Sequence, residues 1–262
     1  MRFLATSMLA GMLLVSGCRQ DHSISPQTRD RIERAQSAYE AGQDDETLKL
    51  TTAVILEEGS GRGATKARYL RGLAKYRKGD LEGAMEDFRE VYGSAFCEDL
   101  RIYSADALGE IMFRRGNLEK TIELFREVLR ETQRSQKPRD HACYRLGCSM
   151  QRMGKWKEGA KYFYRLKYEF PESGLRVRAE KMARGQAWSI QAGAYRNQQV
   201  ANTEAAKFSK AGFDVAVKPA LDSRDQLLYM VLIGRWNTYD SAAARLPAVK
   251  KVEAEAFLRV VN

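Results

Sequence analysis

The chain has 262 residues, 44 Lys and Arg against 34 Asp and Glu, and a formal net charge of +10. The length points to about two domains, and 44% hydrophobic with 30% charged residues suits a chain that buries cores. No run is apolar and long enough for a bilayer-spanning helix. With His22 and His141 the only histidines, and no Cys-x-x-Cys pair, a metal centre has little to build on, and no glycine-rich phosphate loop occurs; no cofactor is expected.

The first residues, MRFLATSMLAGMLLVSGC, place Arg2 before a short apolar run and small residues before Cys18. That order reads as a secretory signal, residues 1–17, removed on export. Val15-Ser16-Gly17-Cys18 resembles the lipobox of bacterial lipoproteins, which implies lipidation of Cys18 through its nucleophilic sulfur, with several acyl chains giving a stable anchor. The alternative is an ordinary signal with a chance cysteine. Arg19, where an aspartate would signal inner-membrane retention in the enteric rule, implies an outer-membrane lipoprotein facing the periplasm. Residues 18–28 are polar, contain Pro26 and read as a lipidated tether.

From about residue 29 to 184 apolar residues recur at three- and four-residue spacing, the period of amphipathic helices. Segments KYRKGDLEGAMEDFREV, MFRRGNLEKTIELFREV and SMQRMGKWKEGAKYFYRLK align on a glycine, with AYEAGQDDETLKLTTAV as a weaker first copy. The glycines are Gly42, Gly79, Gly116 and Gly154, one to a repeat. Each is expected to end a helix in the left-handed conformation. The following helix carries a small residue (Thr47, Ala84, Thr121, Ala160) for close approach and an aromatic (Phe88, Phe125, Tyr164) for filling, with Thr51 in the aromatic's place in the first copy. Gly72, Gly109 and Gly147 stand seven residues before their repeat glycines. Leu108-Gly109, Leu146-Gly147 and Pro171 resemble the tetratricopeptide pattern, which implies paired helices stacked as a solenoid that recruits a protein partner of unknown identity. The aromatics and Trp156 are expected to be core. Cys97, Cys143 and Cys148 read as small buried residues, although a Cys97–Cys143 disulfide is not excluded by spacing.

Charge is uneven. Residues 1–144 hold 23 basic and 23 acidic side chains, residues 145–184 eleven and four, and residues 185–262 ten and seven. The excess is either a solvated helical face, the favoured reading since no aromatics are interleaved with it, or an attraction for anionic wall polymers or lipid head groups. Export argues against nucleic acid as a partner.

At residue 187 the period changes. AWSIQAGAY alternates as a half-buried strand does, and strand, helix, strand, strand, helix, strand follow to the end. The expected domain, residues 186–262, is a small α+β unit: βαββαβ, a four-stranded antiparallel sheet with two helices on one face and the other face open. Thr238 or Asp240 would cap its second helix, whose regularity Pro247 limits. Alternation turns Trp188, Ile190, Ala192, Tyr229, Val231 and Ile233 toward the helices. Ser189, Gln191, Gly193 and an exposed apolar row of Leu228, Met230 and Leu232 would then face outward.

Ile190-Gln191-Ala192-Gly193-Ala194-Tyr195 with Asn197, Gly212-Phe213 and Tyr229-Met230-Val231-Leu232-Ile233-Gly234, each ahead of or after an alanine-rich helix, resemble the SPOR (sporulation-related repeat) family. The resemblance implies binding of peptidoglycan, preferentially denuded glycan strands at division septa. It carries Gln191 over as an exposed sugar-reading amide, with Ser189, Tyr195, Leu228, Met230 and Arg235 as further glycan-binding candidates, Tyr195 being either core or groove wall. Met230 stands where an arginine is frequent, and Arg235-Trp236 where proline and an aromatic are usual. The expected function is that of a non-enzymatic envelope lipoprotein, tied to a membrane by lipid, to the wall by its last domain and to a protein by its repeats, in division or wall remodelling. No domain remains to hold a cleft with paired carboxylates. The competing expectation is an assembly scaffold of the outer membrane or periplasm that binds no glycan and pairs with protein through the apolar row.

Overall fold

The computed structural model describes residues 24–133, 137–222 and 224–262; the signal segment, Cys18 and His22 lie outside them. Their order is α1 (Pro26–Glu40), α2 (Asp44–Glu58), α3 (Arg62–Lys78), α4 (Leu81–Tyr92), α5 (Glu98–Arg114), α6 (Leu118–Glu131), α7 (Arg139–Arg152), α8 (Trp156–Glu169) and α9 (Arg176–Ala183). Then come β1 (Ala187–Tyr195), α10 (Gln198–Lys210), β2 (Val215–Leu221), β3 (Leu227–Trp236), α11 (Tyr239–Ala243), α12 (Leu246–Lys250) and β4 (Phe257–Val261). This is a tetratricopeptide-like helical array followed by a four-stranded antiparallel sheet with helices. None of the described helices is long and apolar enough to cross a membrane. Two compact units meet in sequence between Leu146 and Gly147.

In the first unit α1 begins at Pro26, inside the expected tether. Proline suits the first turn, where no N–H donor is needed, and the Ser25 hydroxyl accepts from the Thr28 N–H. Gly42, Gly79 and Gly116 close the first helices of three hairpins with φ of +79°, +90° and +78°, the left-handed region that glycine enters without a Cβ penalty. Asp80 and Asn117 then cap the next helix by accepting from the Gly83 and Lys120 N–H groups.

Packing inside each hairpin follows one rule. A Cβ on Gly72 would lie 2.8 Å from the Phe88 ring, and one on Gly109 2.9 Å from the Phe125 ring. At the equivalent positions of the first hairpin stand Ala35 and Thr51, both fully buried, so a smaller side chain takes the place of the ring where a methyl takes the place of the glycine hydrogen. The weak first copy is therefore a repeat with a matched pair of substitutions. Successive hairpins are joined by cations over rings that recur at the repeat period: Arg77 lies 4.0 Å from the Tyr39 ring and Arg114 4.8 Å from Tyr76 at equivalent positions, while Phe113 is met at 4.6 Å by Arg145 from an earlier turn of α7. Lys78–Asp45 and Arg115–Glu82 ion pairs run beside it.

A charged cluster is buried between α5 and α7. His141 Nδ1 lies 2.8 Å from Asp106 and Nε2 3.5 Å from Glu110, while Arg145 Nε reaches Glu110 at 2.6 Å. Burial works to lower the His141 pKa, but the charge and hydrogen bond of Asp106 and those of Glu110 outweigh it and raise it to about 9. Burial likewise opposes the Glu110 charge, yet the His141 hydrogen bond and Arg145 hold its pKa down to about 2. With both ring nitrogens protonated, the 3.3 Å approach of Arg145 Nε to His141 Nε2 is one of two cations sharing Glu110. Cys97, Cys143 and Cys148 are buried, as small core residues should be.

The second unit holds the end of α7, then α8, α9 and the sheet domain. Here the reading of the repeat is off by one residue. The ring that fills the hairpin is Phe163, fully buried and 2.6 Å from a Cβ on Gly147; Tyr164 is 42% exposed. The close-approach residue is Gly159, whose Cβ would lie 2.8 Å from the Gly147 carbonyl, rather than Ala160. Adjacent small and aromatic residues (Gly159-Ala160, Phe163-Tyr164) allowed the alignment to slip, and one position turns a side chain about 100° around a helix. Trp156 is half-buried.

The strand order is β2-β3-β1-β4, every neighbour antiparallel. Ile190, Ala192, Val231 and Ile233 form the core against α10 (Ala201, Ala205, Phe208) and Val249 of α12, as alternation predicts. The second expected helix is two short ones: α11, capped by Thr238, and α12, with Pro247 in its first turn. Pro247 has no N–H to continue a single helix through this point.

Candidate functional site

The sheet face turned away from α10–α12 is the candidate site. Register assigns its residues: Ser189 lies opposite Arg259, Gln191 opposite Phe257 and Leu232, Met230 opposite Lys218, and Leu228 opposite Ala220. Directly opposed residues share a face, so Ser189, Gln191, Leu228, Met230 and Leu232 do line one surface, together with Lys218, Phe257 and Arg259. None of these last three was legible as a site residue, because their face depends on strand pairing that the sequence does not specify.

Two irregularities reshape that face. The register slips by one between Gln191 and Gly193, the signature of a β-bulge, which puts two residues against one and inverts alternation beyond it. Gly193 therefore pairs with Val231, and Tyr195 with Tyr229, on the helix side; Tyr195 packs against the helix-side core and does not join the open face with the other candidates. The second slip lies between Trp188 and Ile190, with Gly234 on the partner strand at φ +61°. The Gly234 N–H donates to the Asp214 carbonyl, and a Cβ there would lie 2.2 Å from the Trp236 ring. Glycine is required at that bulge.

Exposure also departs from expectation. Gln191 faces the open side but is only 8% exposed, and its Oε1 accepts a hydrogen bond from Arg259 Nη1. Ser189 is buried and its hydroxyl donates to the Ile233 carbonyl at 3.1 Å. Met230 and Leu232, read as an exposed apolar row, are 9% and 4% exposed, and Leu228 is half-buried. The cause is position: β1 and β3 are the inner strands, and a side chain there loses surface to neighbours on both sides. Arg235 is exposed, and its Nη1 donates to the Asn262 carbonyl at 2.7 Å. The face is thus a nearly closed strip of amide, hydroxyl and aliphatic groups with cationic side chains beside it.

Beside the sheet, Trp188 is held by the preceding helices of the same unit. Its indole N–H donates to the Gln151 carbonyl at 3.1 Å, and its ring packs 6.0 Å from Trp156 and 5.2 Å from Tyr239. Trp156 in turn donates to the Asn237 carbonyl at 3.0 Å.

Residues 185–259 match the SPOR domain family, and residues 142–173 match the Tetratricopeptide repeat family. The chain therefore contains a SPOR domain, of a peptidoglycan-binding family, and a tetratricopeptide repeat, of a protein-interaction family; both are binding rather than catalytic domain types. Comparison with curated proteins gave no match. Among solved structures, a tetratricopeptide repeat protein from Parabacteroides merdae is 12% identical, with 71% of this chain and 66% of that one covered and a TM-score of 0.51. MamA of AMB-1 is 16% identical over 60% of this chain and 80% of its own, with a TM-score of 0.47. The Parabacteroides likeness is one of fold alone.

Proposed function

We propose that this protein is a non-enzymatic lipoprotein of the bacterial cell envelope. Lipid on Cys18 fixes it to a membrane, the outer membrane with the body in the periplasm; the open face of its sheet binds peptidoglycan glycan strands; and its helical repeats recruit a protein partner at sites of division or wall remodelling. The observation that carries this reading is a SPOR domain whose open face groups Gln191, Ser189, Leu228 and Met230, with half-buried Leu228 and the cations beside the strip as its accessible contacts and the Ser189 hydroxyl bound to the Ile233 carbonyl beneath them. Arg235 lies at the margin of that strip, and Tyr195 is dropped from the proposed contact set because it belongs to the helix side.

The test uses the chain from residue 24 onward, which keeps both compact units and removes the lipid. Co-sedimentation with purified peptidoglycan sacculi is expected, increased after amidase treatment strips the stem peptides, and weakened by Leu228→Asp. Absence of pelleting with either preparation would move the assignment to a protein scaffold. In cells, fatty-acid labelling lost in Cys18→Ser is expected, and a zymogram with no clearing fits the non-enzymatic part.

A further inference from the structure

The four strands contain no aspartate or glutamate; their charged residues are Lys218, Arg235 and Arg259. Register puts Lys218 opposite Met230 and Arg259 opposite Ser189, so two of these cations flank the open strip from opposite sides. Neither is ion-paired with a carboxylate among the described residues, which is unusual in a chain whose helical region is laced with ion pairs. Arg259 is instead oriented by a neutral acceptor, the Gln191 amide oxygen. An amide directs a guanidinium without neutralising it, and a guanidinium keeps further donors for a planar anion. Lys218 is on one outer strand, level with Ala194 of β1, and Arg259 on the other, level with Ser189; at the usual strand spacing and rise they are about 20 Å apart on a diagonal, far enough to meet anionic groups on two different sugars.

We propose that Arg259, positioned by Gln191, and Lys218 make this face selective for a glycan that carries free carboxylates. In peptidoglycan that group is the lactyl ether carboxylate, an uncharged amide while the stem peptide is attached and an anion once the amide is hydrolysed. The place of the charge, a carboxylate on the sugar itself rather than on an attached peptide, then separates stripped from peptide-bearing strands. The inference rests on the glycan-binding reading above and names the residues that would set its selectivity.

The experiment measures binding of the chain from residue 24 onward to three sacculus preparations: untreated, amidase-stripped, and amidase-stripped with the freed carboxylates converted to neutral methylamides. Wild type is expected to bind the stripped preparation about 10-fold or more tightly than the methylamidated one, the range of a charge-assisted hydrogen bond, with the difference shrinking at high salt. Arg259→Gln should lose that discrimination while still binding; Arg259→Lys should keep part of it; and Lys218→Gln, at an exposed position that the fold does not need, should reduce it independently. Equal binding of wild type to stripped and methylamidated sacculi, or full discrimination surviving in both Arg259→Gln and Lys218→Gln, overturns the inference while leaving glycan binding intact. No binding to any preparation overturns the glycan-binding reading itself.

Discussion

The buried His141 cluster allows a sharp test of how charge contributes to the helical array. Its ring is expected to remain protonated to pH about 9, against an ordinary value of 6.5. The sign follows from linkage: a raised folded pKa gives stability that is fully present below 6.5 and is lost as pH rises through 9. At about 1.4 kcal/mol per pKa unit, the contribution is at most about 3–4 kcal/mol. Glu110 works in the opposite direction, its contribution present above 4.5 and lost as pH falls through about 2, so these two groups together contribute fully from about 4.5 to 6.5, while burial holds the Asp106 pKa above its ordinary value and opposes them as pH rises. Because His22 is the other histidine of the chain, the protein from residue 24 onward has one imidazole, and its ring resonances in an NMR titration report this site without ambiguity. The three tryptophans, Trp156, Trp188 and Trp236, all belong to the second unit. Amide exchange in α5, corrected for its intrinsic pH dependence, should therefore lose protection between pH 6.5 and 9 while indole fluorescence stays constant. His141→Gln should be less stable at pH 6 and flat across that range. Titration at or below 6.5 would refute the reasoning, since burial would then outweigh Asp106 and Glu110.

Gly109→Ala, with its new methyl 2.9 Å from Phe125, should destabilise the first unit by about 1–3 kcal/mol as an overpacked core. Adding Phe125→Thr, which copies the Ala35 and Thr51 pairing, should give a double variant less destabilised than the sum of its two singles, measured by a double-mutant cycle in urea. Gly234→Ala should lower the melting temperature of the second unit, because neither the left-handed backbone nor the Trp236 ring accommodates the methyl. Trp188→Phe should cost about 0.5–1.5 kcal/mol, as it removes one of two hydrogen bonds to the Gln151 carbonyl, which keeps the one from the Gly154 N–H; equality with wild type in denaturant would remove the indole bond from the account.

The repeats were legible because glycine at a fixed spacing has one structural meaning, and Gly42, Gly79, Gly116 and Gly154 all have positive φ. The slip from Phe163 to Tyr164 shows the limit: in a run of neighbouring aromatics, only the partner glycine identifies which ring is buried. In the β1 strand, alternation found the right core residues up to Ala192. Past that point the bulge reversed the faces, and a bulge leaves no mark in a sequence of small residues such as Ala192-Gly193-Ala194. The open strip was named from its own strands, but its closure and its cations come from β2 and β4. Those facts belong to pairing, not to local pattern, so Lys218 and Arg259 could not be found by reading β1 and β3.

The position of Trp188 bears on how the proposed activities combine. Alternation marks it as an inward residue, yet its surroundings are supplied largely from before the sheet: the Gln151 carbonyl, the Trp156 ring and, from the start of α11, Tyr239 with Arg152 4.2 Å from its ring. Gly154, the turn of the last repeat, is so close to Asn237 that a Cβ would lie 2.4 Å from its amide nitrogen. The chain between them is equally tight, since a Cβ on Gly185 would lie 2.1 Å from Val260 and the Gln186 N–H donates to the Val261 carbonyl at 2.8 Å. No flexible linker separates α8 and α9 from the sheet; they share one compact unit with it. A partner bound on α8 would consequently be fixed in orientation to the face proposed to bind glycan, and force or confinement applied to one would be felt directly by the other. Cutting the chain at residue 186 would also remove the partners of Trp188, so weak glycan binding by the isolated sheet domain would measure lost support as well as lost contacts.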